Sequence, residues 1–535
     1  MMKKSALLAL LLTACCGAPP QPRSFTILAV NDLYRINGVA DSQGGGQKGG
    51  LARLRTLRRQ LEEQHPDLIF LHAGDLLNPS LLSLKYQGEQ MVDVMNRLDG
   101  DDQAFDERLL VTFGNHEFDF RDPALLDERI EASQFRWLAS DLTFLQDGVA
   151  VVEAENLLPS RMLESNGVRV GLFSLSTNMT TRDYVQFADR LETARRMTAE
   201  LRRRGAEVVV ALTHLSLSQD EELLRTLGGD GPDLHIGGHE HSRQDVTVNG
   251  RRVLKADADG VSALVVTVTL QEGGPPLVDS RFEDLAGQSP APDPLVQQRI
   301  DWWLTKHDRE YCADQKPPEA PGCLNQALGL AGVELVAEET EIRRYETNFG
   351  NWAADLARQA YPNAHAAVIG SGGLRLNENI PAGARFQRRH LAALLPFPND
   401  LRLFKIRGET LQKVLDRSVE TWTGNGWWLQ VSGIAFRHDP ARQRAYDLTL
   451  LTPQGPRPVG SEEEILLVAN SYVADGNDGY TMLGKESQVP DAPSHNLSDL
   501  IRQALAQAGE AGISPRLEGR ICNAERSGDC LAVAQ

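Results

Sequence analysis

The segment Leu109-Leu110-Val111-Thr112-Phe113-Gly114-Asn115-His116-Glu117-Phe118-Asp119 decides the fold. Its first five residues form an apolar, partly β-branched run, the pattern of a strand buried on both faces. The run stops at Gly114, and an amide, an imidazole and two carboxylates follow at once. In open α/β sheets, ligands bind at the carboxyl ends of the strands, which is where these groups fall.

Working outward, the arrangement recurs. Phe25 to Val30 runs into Asn31-Asp32, and Asp67 to Leu71 into Gly74-Asp75. Glu207 to Leu212 runs into Thr213-His214, and Asp233 to Ile236 into Gly237-Gly238-His239-Glu240-His241. Between strands, Leu51, Leu54, Leu57 and Leu61 share one helical face, as do Val92, Met95 and Leu98. This alternation from Phe25 to about Thr269 predicts a layered α/β domain whose strand ends converge on one patch. Glycines beside the polar residues let the backbone turn sharply and approach an ion closely. Imidazoles, carboxylates and an amide oxygen suit a pair of Mn, Zn, Co or Fe ions better than Mg or Ca. Two such ions, about 3.5–4 Å apart, lower the pKa of a shared water and clamp a phosphoryl group. Asp75 is the natural bridging carboxylate.

A chain of 535 residues is too long for one core, so at least two domains are expected. A net charge of −18 excludes long-range attraction of a nucleic-acid polymer or an anionic membrane, but not a small anion held by local arginines. Residues 1–23 read as an export signal and short tether: Lys3 and Lys4 precede an apolar run too short to span a bilayer. Leu12-Thr13-Ala14-Cys15 resembles a bacterial lipobox, which implies lipidation of Cys15 and a periplasmic or cell-surface lipoprotein. In that oxidising setting Cys312/Cys323 and Cys522/Cys530 are expected disulfides. Residues 24–285 form the expected first domain, and Pro-rich residues 286–332 a linker with a connecting helix. Residues 333–520 form a second α/β segment and 521–535 a tail.

Taken in order, Asp32, Gly74-Asp75, Gly114-Asn115-His116-Glu117, His214 and Gly238-His239-x-His241 resemble the calcineurin-like metallophosphoesterases. The continuation to Phe118-Asp119 and the later segment resemble the bacterial 5′-nucleotidase branch, in a lipoprotein form. The resemblance implies a four-layer α/β/β/α metallophosphoesterase domain followed by an α+β 5′-nucleotidase C-terminal domain. It implies Asp32, Asp75 and His241 on one metal, and Asp75 (bridging), Asn115, His214 and His239 on the other. His116, oriented by Asp119, would stabilise developing charge or protonate the leaving oxygen.

One position departs from the family pattern: Tyr34 stands where an imidazole ligand is usual. Tyrosinate ligation, a metal completed by water and a weakly binding first site are the three readings. Water completion with Tyr34 hydrogen-bonded nearby is the expectation. His72 and His235 read as satisfied core groups and His65, before Pro66 in a turn, as a surface residue, while His307, His365, His390, His438 and His495 lack ligand partners at useful spacing. Glu117 and Glu240 read as supporting or solvated groups.

In the second segment, four stretches resemble the 5′-nucleotidase C-terminal domain: Arg343 to Asn351, Gly370 to Arg375, Leu395 to Asn399, and Asn470 to Tyr480. The resemblance implies a base stacked between Phe397 and Tyr472. It also implies oxyanions held by Arg343 and Arg375, and base or ribose contacts from Asn399 and Asp478. Gly370 and Tyr472 replace more usual residues, yet stacking survives both changes. The implied activity is hydrolysis of nucleotide phosphomonoesters by a metal-bound hydroxide, releasing nucleoside and phosphate outside the cytoplasm. Cyclic 2′,3′-nucleotides, UDP-sugars and thiosulfonates are alternative substrates on the same scaffold. A degenerate nucleotide-binding lipoprotein is the non-enzymatic alternative.

Overall fold

The computed structural model describes residues 23–523, apart from 42–45, 147, 151–153, 180–181, 288, 398, 421, 423–425 and 485–486. Lys3, Lys4, Cys15, Cys16 and Cys530 therefore lie outside the described residues.

The first unit is built on two sheets. One orders its strands Leu277–Asp284, Ser262–Thr269, Ser24–Val30, Ile69–His72, Asp106–Thr112, Phe135–Leu138 and Leu157–Leu158. The other orders Arg161–Ser165, Val168–Ser176, Val208–His214, Leu234–Gly237, Arg251–Lys255 and Gln244–Val248. The centre of each is parallel, with Ile27 beside Ile69 and Val210 beside Leu234. Parallel strands buried on both faces need apolar residues throughout, which explains the unbroken runs in the sequence.

Period-two alternation sends one half of each run between the sheets. Ile27, Leu71, Leu110, Val170, Val210 and Ile236 form that inner layer. The other half meets helices: Leu28, Phe70 and Val111 pack with Leu54, Leu57 and Leu61 of helix Leu51–Gln64. Phe173, Val209 and Ala211 pack with Met197 and Leu223 of the helices behind the second sheet. The result is the expected α/β/β/α stack.

The connecting helix is Pro294–Ala313, started by Asp293, whose side chain accepts from the Leu295 and Val296 amides. Proline at the first position and a carboxylate cap are the usual signature of a helix start. Val296, Ile300 and Trp303 lie on one face and join the core of the first unit. The Trp303 indole also donates to Asp93 at 2.7 Å. A disulfide joins Cys312 at the helix end to Cys323, as the spacing suggested.

The second unit centres on a five-stranded sheet, in which Ala366–Gly370 and Glu464–Asn470 run parallel. One face carries Phe349, Leu391 and Ile501 from helices, and the other carries Leu411, Val414 and Trp428. Ala327–Leu330 pairs with Arg385–Gln387, and Ile521–Asn523 pairs with Ile434–Asp439. Neither short strand has enough periodicity to be read locally; each exists because a partner strand offers its edge.

Candidate metal centre and the facing pocket

All five strand ends meet at one place. Four of the expected ligands take left-handed backbone conformations: Asp32 (φ 52°), Asp75 (φ 57°), His239 (φ 85°) and His241 (φ 56°). Such conformations strain residues with a Cβ, and they cluster where a site dictates geometry. The adjacent glycines are needed for space. A Cβ on Gly114 would lie 2.1 Å from Asp75 Oδ1, and one on Gly74 2.6 Å from His214 Nδ1.

Asp32, Asp75 and His241 each offer a ligand atom within 4.8 Å of the others. His214 Nε2 stands 3.4 Å from Asp75 Oδ2 and 4.0 Å from Asp32 Oδ1. Its other nitrogen, Nδ1, is 2.7 Å from the Ala73 carbonyl, which fixes the tautomer and frees Nε2 as a ligand. His214 Nε2 and Asn115 Oδ1 are buried without a hydrogen-bond partner. Orphaned buried acceptors of these types fit a divalent ion. The His214 and His239 rings lie 5.3 Å apart beside them.

The charges agree. Burial opposes protonation of His214, but Asp75 and Asp32 outweigh it and push its pKa up to about 10. Burial likewise opposes a charge on His241, yet Glu339 and Asp32 push it up to about 9. Both carboxylates are driven well below the ordinary range by these imidazoles, against the effect of burial. Burial and the neighbouring His214 press His239 down to about 3. The two buried carboxylates thus make the centre a place for positive charge.

Tyr34 is not merely nearby. Its hydroxyl lies 3.1 Å from Asp32 Oδ1, 2.9 Å from Asp75 Oδ2 and 2.8 Å from His241 Nε2. Burial, Asp75 and Asp32 hold its pKa well above the usual phenol value.

His116 and Asp119 sit on one short 3₁₀ turn, with Nδ1 2.8 Å from Asp119 Oδ2. The His116 amide donates to Asp75 Oδ1, tying this turn to the ligands. Of the two readings of Glu117, the supporting one fits: it is buried, and its carboxylate accepts from the amides of Asp75, Leu76, Leu77 and Gly114. Burial and Asp75 raise its pKa to about 7, against the pull of those amides. Glu240 is also buried, paired at 2.6 Å with Lys255. His235 is held by Asp220 at 2.9 Å, but neither nitrogen of buried His72 has a hydrogen-bond partner. The sequence reading of His72 as satisfied is therefore corrected.

The second unit closes over this centre. Arg375 Nη2 lies 3.3 Å from His116 Nε2, and its guanidinium stands 5.8 Å from the Tyr34 ring centre. Glu339, which the sequence did not single out, places Oε1 2.7 Å from His241 Nδ1. It also pairs with Arg343 at 2.7 Å and accepts from Asn377 at 3.1 Å. Arg35 of the first unit donates to the Leu376 carbonyl of the second. Tyr472 is half-exposed and donates to Asp478 Oδ1 at 3.1 Å. Phe397 is partly buried, and the buried Asn399 donates to its carbonyl. Arg375 beside His116 brings the second unit's pocket against the metal centre. A separate groove lined by Arg55, Arg59, Arg97, Arg299 and Trp302 contains none of these residues. Its guanidiniums are already paired with Glu62, Asp93, Asp102 and Asp293.

Fold and site together define a phosphoric ester hydrolase of the metallophosphoesterase class. Residues 25–243 match the family model for calcineurin-like phosphoesterases, and residues 329–485 match that for the 5′-nucleotidase C-terminal domain. The chain belongs to the 5′-nucleotidase family. It is 24% identical to a snake venom 5′-nucleotidase of Naja atra over 93% of this chain and 98% of that one. It is also 24% identical to a 5′-nucleotidase of Mus musculus, over 93% and 90%. A 5′-nucleotidase precursor from Thermus thermophilus superposes with a TM-score of 0.75, at 24% identity and 94% and 99% coverage. A sulfate thiohydrolase from the same organism has the same fold, with a TM-score of 0.72, 16% identity and 95% and 98% coverage.

Proposed function

We propose that the chain hydrolyses nucleotide phosphomonoesters, releasing nucleoside and phosphate. The approach of Arg375, from the nucleotide-side unit, to within 3.3 Å of His116 beside Asp75 carries this reading. A guanidinium there meets the oxygens of a phosphoryl group lying against the centre. Asp75, Asn115, His214 and His239 would hold a divalent ion, and Asp32, Asp75 and His241 are the second candidate set. The ion would supply Lewis acidity toward phosphoryl oxygens and lower the pKa of a water.

The chain's own residues would do the rest. Asp119 holds His116 Nδ1, so Nε2 is the nitrogen that would stabilise charge developing on the leaving oxygen or, as the imidazolium, protonate it. Arg343 and Arg375 orient the phosphate, while Phe397 and Tyr472 flank the base and Asn399 and Asp478 line its edge. Stacking is worth about 1–3 kcal/mol per base and tolerates any base. Within the second unit, no charged surface suited to a polymer is required; the substrate is small.

Export follows the same reading. The lipobox at Cys15 supplies a membrane anchor, and the Cys312–Cys323 bond supports an oxidising compartment. Among the described residues, no helix is long and apolar enough to cross a membrane. The limits of the units, at about residues 24–285 and 333–520, are part of the proposal.

The test is phosphate release from a nucleotide panel with Mn, Zn, Co or no metal. His116→Ala should lose about 10²–10⁴-fold in kcat. Phe397→Ala should raise KM for every nucleotide. Absence of metal-dependent release from all phosphoesters would sink the proposal.

A further inference from the structure

We propose that the Tyr34 hydroxyl fills the first metal position, so that the chain binds a single divalent ion, on Asp75, Asn115, His214 and His239. This rests on the metal-dependent reading above and specifies its centre. The geometry begins with reach. A phenol places its oxygen about 2 Å farther from Cβ than an imidazole places Nε2, which is close to one metal–nitrogen bond. Where the family pattern has an imidazole holding an ion, the tyrosine oxygen therefore arrives near the ion's own place.

The contacts agree with that arithmetic. The hydroxyl is 3.1, 2.9 and 2.8 Å from Asp32 Oδ1, Asp75 Oδ2 and His241 Nε2, the three atoms that would otherwise share the first ion. These are hydrogen-bond lengths, longer than the roughly 2.0–2.2 Å of metal bonds to nitrogen or carboxylate oxygen. The donors are spaced for a hydroxyl.

The two positions also differ in what remains unsatisfied. At the first, Asp32 Oδ2 accepts from Asn31 Nδ2 and the His239 amide, and His241 Nδ1 meets Glu339. Every polar side-chain atom there lies within hydrogen-bonding distance of a partner. At the second, His214 Nε2 and Asn115 Oδ1 are buried and have none. Tyr34 is held in place as well. It is 2% exposed, its amide donates to Asp259 Oδ1, and its ring lies against His241, His116 and Arg375. Rotating it out would require all of these to part.

Metal content decides the matter without reference to turnover. The full-length protein is stripped with chelator, loaded with Mn²⁺, desalted and assayed by elemental analysis and electron paramagnetic resonance. The wild type should hold one Mn per chain and give the six-line signal of an isolated ion. Tyr34→His should hold two and show a spin-coupled signal, and Asn115→Ala should lower the wild-type count. Two ions or a coupled spectrum in the wild type would overturn the proposal, and so would a folded Tyr34→His variant that still holds one. If that variant does not fold, the wild-type count decides alone. Nucleotide turnover by a two-ion wild type would leave the proposed function standing while this inference fell. A one-ion protein without phosphatase activity would do the reverse.

Discussion

Replacing His438 by leucine should remove part of the acid instability of the second unit. His438 is fully buried between Trp422 and Trp428, at ring distances of 5.8 and 5.2 Å, and neither nitrogen has a hydrogen-bond partner. Burial presses its pKa from 6.5 down to about 4, with Asp439 opposing weakly. A base with a depressed folded pKa contributes stability that is full above its unfolded pKa and is lost as pH falls toward the folded value. The window is therefore pH 6.5 to 4, and the complete loss is about 3 kcal/mol. At pH 4.5 most of that loss, about 2 kcal/mol, would already be present. Leucine cannot protonate and leaves no orphaned nitrogen, so at pH 7.5 the variant should match or exceed the wild type by about 1 kcal/mol. Urea unfolding, followed by tryptophan fluorescence at both pH values, gives the double difference. If wild type and variant lose stability in parallel between pH 7.5 and 4.5, the account of His438 is wrong.

Lys255→Met should destabilise the first unit by about 3–5 kcal/mol, because it strands two buried carboxylates; a urea midpoint unchanged at pH 7.5 would contradict the ion-pair account. Lys255 sits 2.9 Å from Asp220 and 2.6 Å from Glu240. Glu339→Gln removes the charge facing Arg343 and His241 and should shift the two units toward an open arrangement, seen as a larger radius of gyration by X-ray scattering. An unchanged profile would show that other contacts hold the closure. Cys312→Ser opens a loop with a sequence separation of 11 and should cost about 3 kcal/mol by the chain-entropy relation, read as a lower melting temperature.

Much of the first unit was legible because its signals are local. A buried parallel strand announces itself as an apolar run, and a ligand follows within a few residues of its end. Strand limits were less so. The strand ending in His214 continues two residues past Leu212 because Thr213 and His214 pair with Leu175 and Ser176. Glu339 was invisible for a different reason. It lies 98 residues from His241, and a pair of adjacent glutamates reads as a solvated face until the fold brings them together. Lys255 gave no signal either, since its value depends on Asp220 and Glu240. Tyr34 was legible as a substitution but not as a position, because its meaning lies in how far its oxygen reaches.

The contact of Glu339 with His241, and of Arg375 with His116, has a consequence for the order in which the chain is made. A polypeptide is made amino end first, so the ligand-bearing strands are complete while the residues that close over them are still to come. The second unit itself is finished only when Ile521–Asn523 lines up beside Ile434–Asp439. The closed centre is thus a late product of synthesis, completed only after both units have been made.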